Sequence, residues 1–243
     1  MIIQALAGYY DILAGDDSVA ISRPGYSPAK VSFALVISKE GNLTNIIDLR
    51  TDGKKPVPKV MDVPFQMARA VAVTPYFACD NAKYVFGVEK AKTDAKKKTT
   101  LDKTDYLTVL EEEGNEKIVV SKRSLECFEK YRNLHHLLLD AVTDLGVKSF
   151  LKFLDGWKPE LTLQNPKIIE FKEDILAGGL FVFECEGNYL HKNSAVRLAW
   201  DHYNSSGPSD EDQVSQCLVS GKQEPVCRLH QKIKGVYGAQ ISG

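Results

Sequence analysis

The chain has 243 residues, 44% hydrophobic and 26% charged, which suits one large globular domain or two small ones. Its 31 basic and 32 acidic residues nearly cancel, so any affinity for a polyanion must come from local patches and not from overall charge. No run of about 18 apolar residues occurs, so no transmembrane helix is expected.

Ile2, Ile3, Ala5, Leu6, Tyr9, Tyr10, Ile12 and Leu13 recur at helical spacing, which predicts a helix over 2–14. The same stretch has no basic start and carries Asp11, Asp16 and Asp17, so it reads as a folded helix and not a signal peptide. VSFALVIS and LTNIIDLR flank KEGN, predicting a hairpin over 31–38 and 43–49. KKPVPKVMDVPF, with three prolines, is expected to run extended along a sheet edge. AKYVFGVE, 82–89, reads as a further strand, followed by a lysine-rich loop.

From Lys122 the period changes. Leu125, Phe128, Leu134, Leu137, Leu138 and Val142 fall near helical spacing, with Ser121 or Ser124 as the cap. VKSFLKFLDGW gives a second helix that Pro159 ends. IIEFKEDIL fits either state. GLFVFECEG is a strand by its β-branched and aromatic content. SAVRLAWDHY is a short helix, SSGPSDEDQ a loop, and the remainder turn-rich with short extended pieces. Strands in blocks with helices inserted between them predict an α+β fold, a mixed or antiparallel sheet with a hairpin near the N-terminus.

The five cysteines (Cys79, Cys127, Cys185, Cys217, Cys227) are odd in number and scattered, which suggests reduced thiols and a cytoplasmic chain. Cys127 and Cys185 sit in apolar patterns and are expected to be buried. Cys217, Cys227 and His230 would need His191 or His202 as a distant fourth ligand to hold zinc, and no CxxC pair supports that, so no metal is expected. His135 and His136 point about 100° apart on a helix and cannot share a ligand. One should face the core edge and the other solvent. There is no G-x-S-x-G, P-loop or G-x-G-x-x-G, and GDDS at 15–18 and SDED at 209–212 read as solvated acidic runs. No cofactor and no catalytic role are expected.

Lys83, Lys90, Lys92, Lys96, Lys97, Lys98 and Lys103 crowd one region against Glu89, Asp94 and Asp102. Lys54, Lys55 and Lys59 add a second basic stretch, and His230, Lys232 and Lys234 a third. Such clusters bind phosphate backbones by counterion release. Tyr76, Phe77, Tyr84 and Phe86 lie beside the first. A polyanion contact and a solvated loop that shields a sheet edge are both open on these grounds.

The blocks F-x-x-D-N-x-x-Y-V-x-G (Phe77 to Gly87) and R-L-H-x-K-I-K-G-V-x-G-A-Q-x-S-G (Arg228 to Gly243), with IIQALAGYYDIL, GYSPAKVSFALVISKEGNL and KKPVPKVMDVP in one order, carry a resemblance over nearly the whole chain. The sequence resembles the large subunit of the type I-C CRISPR interference complex, the Csd-type Cascade family. That resemblance implies that 1–243 is the N-terminal domain of a longer subunit, with a possible division into a sheet-rich 1–120 and a helical 121–243. It implies a non-catalytic role: recognising the protospacer-adjacent motif of double-stranded DNA and helping to open the duplex. The implied partners are crRNA, the backbone and crRNA-end subunits, and a recruited helicase-nuclease. Within the matching region Asn81, Tyr76 and Thr74 become candidates for reading the motif, and Lys83, Arg69, Lys96, Lys97 and Lys98 for holding phosphates. Asp80 is expected to orient Asn81 or a backbone amide. Val71-Ala72 and Cys79 depart from the family pattern at this point. The alternative is an assembly module that docks on the backbone subunits and crRNA 5′ end while DNA is read elsewhere. A metal-dependent nuclease using the acidic runs is a more distant reading.

Overall fold

The computed structural model describes residues 2–16, 18–19, 21–69, 72–92, 105–114, 116–205, 214–217 and 220–225. The chain divides into two compact units, Ser22–Ser205 and the pair of segments Met1–Ile21 and Ser206–Gly243. In the second of these, α1 (Ile2–Ala14) is the helix its apolar spacing predicts, and Val214–Gln216 pairs antiparallel with Gln223–Pro225. The fold is α+β with a mixed sheet.

The Ser22–Ser205 unit is organised by β1 (Tyr26–Ile37). It pairs antiparallel with β2 (Leu43–Asp48) and β3 (Lys59–Pro64), and parallel with β8 (Leu180–Cys185). β4 (Cys79–Asn81) and β9 (Asn188–Tyr189) pair antiparallel with β8 and complete six strands. The unbroken apolar run of β1 follows from burial on both faces. Phe33, Leu35 and Ile37 join Phe181 and Phe183 in the main core, while Val31 and Ala34 join Met61, Val63, Cys79 and Val182 in a smaller cluster.

A second sheet holds β5 (Glu89–Lys92), β6 (Tyr106–Glu113) and β7 (Glu116–Ser121) in the order β5-β7-β6. β7 leads into α3 (Lys122–Leu139). Ser121 caps this helix and Ser124 closes a reciprocal box, each hydroxyl accepting from the other residue's N–H at 2.9 Å. The buried stripe is Cys127, Phe128, Tyr131, His135 and Leu139, and Leu137 is 73% exposed. α4 (Leu145–Gly156) follows, capped by Asp144. The ambiguous IIEFKEDIL forms two short helices, α5 (Pro166–Glu170) and α6 (Lys172–Leu176), separated by Phe171. α7 (Ser194–Ser205) ends the unit. β11 (Gln223–Pro225) lies in the end segment from Cys217, where short extended pieces are expected, and its partner β10 (Val214–Gln216) precedes that segment.

One expected strand is corrected. Residues 82–89 begin as a helical turn, α2 (Ala82–Val85), and only Glu89 starts a strand. Asn81 Oδ1 accepts from Lys83 N–H at 3.1 Å, which opens a helix, and Gly87 at φ +72 closes it. Ala82, Tyr84, Val85 and Phe86 are all buried, so the apolar run carried no period to separate strand from buried helical turn. Among the described residues no helix is long and apolar enough to cross a membrane.

The hairpin between β1 and β2 is seated directly on α4. Gly41 has φ +87, and a Cβ there would meet Lys152 Cβ at 2.6 Å and the Phe153 amide nitrogen at 2.7 Å. Left-handed strain and backbone collision would act together. Gly41→Ala should therefore cost about 3 kcal/mol or more, read as a lowered urea midpoint with an unchanged denaturant slope. A substitution with wild-type stability would show that the turn can leave α4 freely.

Candidate nucleic-acid interface

The segment Gln66–Lys83 is built around one carboxylate. Asp80 lies on β4 with no exposed surface. Its Oδ2 accepts from the Arg69 guanidinium and from Tyr76 N–H (2.8 Å), and its Oδ1 from Asn81 N–H at 2.8 Å. Arg69 also donates from Nε to the Thr74 carbonyl at 2.7 Å. The guanidinium lies 3.6 Å from the Tyr76 ring centroid and 3.7 Å from that of Tyr84, so two aromatic rings flank the cation. Tyr76 Oη donates to the Met67 carbonyl at 2.8 Å. Burial pushes the Asp80 carboxyl up to about 6, against the pull of Arg69 and the two amides.

A second anchor comes from α3. Ala78 has φ +55, a conformation that costs a residue with a Cβ. Its N–H donates to His135 Nε2 at 2.9 Å, and His135 Nδ1 donates to the Tyr131 carbonyl at 2.7 Å. The ring is thus held as the neutral Nδ1–H tautomer, and burial pulls its pKa down to about 3. Phe77 stacks between His135 (5.1 Å) and Trp200 (5.4 Å). His136 is the outer of the pair, between Asp140 and Asp155.

The structure brings most of the sequence-predicted site residues together, each with an internal partner. Arg69 is paired with Asp80, and Lys83 with Glu89, whose other oxygen accepts from the Ser121 hydroxyl. Thr74 contributes its carbonyl to Arg69. Asn81 caps α2 through Oδ1, which leaves its Nδ2 without a partner among the described residues. Tyr76 and Asn81 are both partly exposed. Lys96, Lys97 and Lys98 lie outside the described residues, as do Cys227, His230 and the SDED run. Lys90, counted with the lysine run, is ion-paired to Glu173 and Glu116. Among the described residues no three His, Cys, Asp or Glu side chains gather as a metal site requires. Sequence reasoning missed His135 as a member of this cluster, and named Tyr84 and Glu89 only as neighbours of the lysines. His135 is separated from Ala78 by 57 positions, so no local pattern signalled the pair.

Two outcomes follow from the geometry. Asp80→Ala leaves Arg69 charged in a part-buried aromatic slot and should cost about 3–5 kcal/mol. Arg69→Met should cost a comparable amount, with the double variant far from additive in urea unfolding. The pH dependence has opposing parts. His135 is depressed below its unfolded value of about 6.5, so stability falls by about 1.4 kcal/mol per unit as pH drops below that value. Asp80 is raised from about 3.9, so between about pH 6 and pH 4 it opposes that loss by a similar slope. Over that window the parent should therefore be nearly flat, and His135→Gln, which leaves only the Asp80 contribution, should gain about 1.4 kcal/mol of stability per unit as pH falls, measured as urea midpoints from about pH 7 to pH 4.

A family model described as CRISPR-associated protein (Cas_Csd1) matches residues 6–243, nearly the whole chain. A comparison with curated proteins gives no match. The matched span includes the Arg69–Asp80 cluster and both long sequence blocks. The chain belongs to the CRISPR-associated Cas_Csd1 family, which gives it a role in CRISPR defence.

Proposed function

We propose that the chain belongs to the large subunit of a type I-C interference complex and meets double-stranded target DNA through Arg69–Lys83, without catalysis of its own. In this reading it recognises the protospacer-adjacent motif and helps open the duplex before guide pairing reads the sequence. It works in the cytoplasm beside crRNA, backbone and crRNA-end subunits, and a recruited helicase-nuclease.

The observation that carries the reading is the rigid mounting of Asn81. Its backbone N–H is fixed by buried Asp80, its Oδ1 is held by the α2 cap, and its Nδ2 remains able to donate to a base edge. Tyr76 is held beside it by Arg69 and Met67, as a stacking or wedging group needs to be. Thr74 lies in the same loop. Arg69 acts here as the part that positions Tyr76, and Lys83 contacts phosphate by exchanging Glu89 for it. Lys96, Lys97 and Lys98 supply sequence-blind phosphate contacts.

The assembled complex on motif-bearing and scrambled duplexes provides the test. Asn81→Ala should erase roughly 1–3 kcal/mol of discrimination while leaving complex assembly intact. Replacing Lys96, Lys97 and Lys98 by Gln should weaken both duplexes alike and flatten the salt dependence. If Asn81→Ala keeps motif discrimination, the base-reading role fails. If assembly itself is lost, docking on the backbone subunits is the better account.

A further inference from the structure

A cleft on another part of the Ser22–Ser205 unit has features that fit a nucleic-acid ligand. Its volume is about 480 Å³, within the range of ligand sites. Its walls are the β1–β2 turn, the C-terminal end of α4 and the 3₁₀ turn Pro159–Gln164. Trp157 lines it and is immobilised from behind: its Nε1 donates to the Phe86 carbonyl at 3.2 Å, and its ring packs on Phe86 and Phe153. Leu161 adds an apolar surface that is 46% exposed.

The polar groups around this platform are specific. Lys152 reaches the Lys39 carbonyl at 3.2 Å, and Lys158 has no carboxylate partner among the described residues. Asn165 accepts from Lys167 N–H through Oδ1 at 3.0 Å, so its NH₂ group remains to donate. Asn42 lines the opposite wall. Two ammonium groups beside a fixed indole match a phosphate joined to a flat aromatic base. A base inside a duplex has no face to offer, so the fitting occupant is a single strand.

We propose that this cleft takes one nucleotide of a single-stranded nucleic acid, with its base against Trp157 and Leu161 and its phosphate at Lys158 and Lys152. Asn42 and Asn165 face the edge of the base. Glu40 also lines the cleft and repels the phosphate, which tunes affinity downward. The inference rests on the reading of the chain as a DNA-facing subunit and places the opened strand, not the motif, in this cleft.

Tryptophan emission of the full chain reports the site directly. There are two tryptophans, and Trp200 is only 8% exposed. A short single-stranded oligothymidylate should quench emission saturably, whereas inorganic phosphate alone and a fully paired duplex should not. Trp157→Phe should abolish the quench. Leu161→Ala and Lys158→Gln, at exposed positions, should each weaken binding roughly 5-fold or more. Lys158→Gln should also reduce the log–log salt slope by about 0.7, and Glu40→Gln should tighten binding. Absence of a saturable quench, a quench that survives Trp157→Phe, or affinities indifferent to Leu161→Ala and Lys158→Gln would each overturn the assignment. Motif-duplex discrimination with no effect of the single strand on Trp157 sinks this cleft and leaves the Asn81 reading intact. The converse result retains the cleft and sinks that reading.

Discussion

The arrangement of the candidate interface depends on one buried ion pair. A carboxylate with no exposed surface is tolerable only when its oxygens are satisfied, and Asp80 reaches that state through Arg69 and two backbone amides. Buried pairs of this kind contribute little net stability against an apolar replacement, yet losing one member is costly. Their effect is positional. Arg69 and Asp80 are 11 residues apart, so the pair closes the loop between them. The same guanidinium orders Tyr76 and Tyr84, which fixes the two ends of that loop against each other.

From Asp80 the constraint spreads along the chain. Asn81 starts α2, Gly87 turns the chain just beyond its end, and the Gly87 carbonyl accepts from the Ser124 hydroxyl in the cap of α3 at 2.7 Å. α3 then returns to the loop through His135, which binds the Ala78 amide. The path is a closed ring of covalent chain and hydrogen bonds. Ala78 can keep its left-handed conformation because both of its neighbours are held: Phe77 between two aromatic rings, and Cys79 in the sheet opposite Val182. Backbone strain at this point is therefore supported from three elements, which suits a surface that must present Asn81 in one orientation.

How far this was legible in the sequence depended on the range of each interaction. β1 and β8 announced themselves because burial on both faces demands an unbroken apolar run. The start of α3 was readable because its cap is local, with Ser121 and Ser124 three residues apart. The run 82–89 misled because an all-buried helical turn has the composition of a strand. β6 and β7 went unassigned although YLTVLEEE and EKIVVS flank a Gly-Asn pair, the same signal that located the first hairpin. An asparagine side chain suits a helix cap as readily as a base edge, so residue type alone did not place Asn81. The Arg69–Asp80 pair and the His135–Ala78 bond join distant elements, and no spacing rule encodes them.

Charge placement separates the two surfaces in kind. The chain is nearly neutral overall, and the two lysines that follow Asn81 in sequence are matched with acids, Lys83 with Glu89 and Lys90 with Glu173. A phosphate approaching Lys83 must displace a carboxylate that Ser121 also holds, so the net gain there is small. That side of the molecule is built for orientation more than for attraction. Around the Trp157 cleft the balance is different: Lys158 has no carboxylate partner among the described residues, and the aromatic surface is fixed in place. A strand held there would lose little of its binding to displaced ion pairs. Discrimination at Asn81 and retention at Trp157 would then be separable properties, because the groups responsible draw on different charges and on different parts of the same fold.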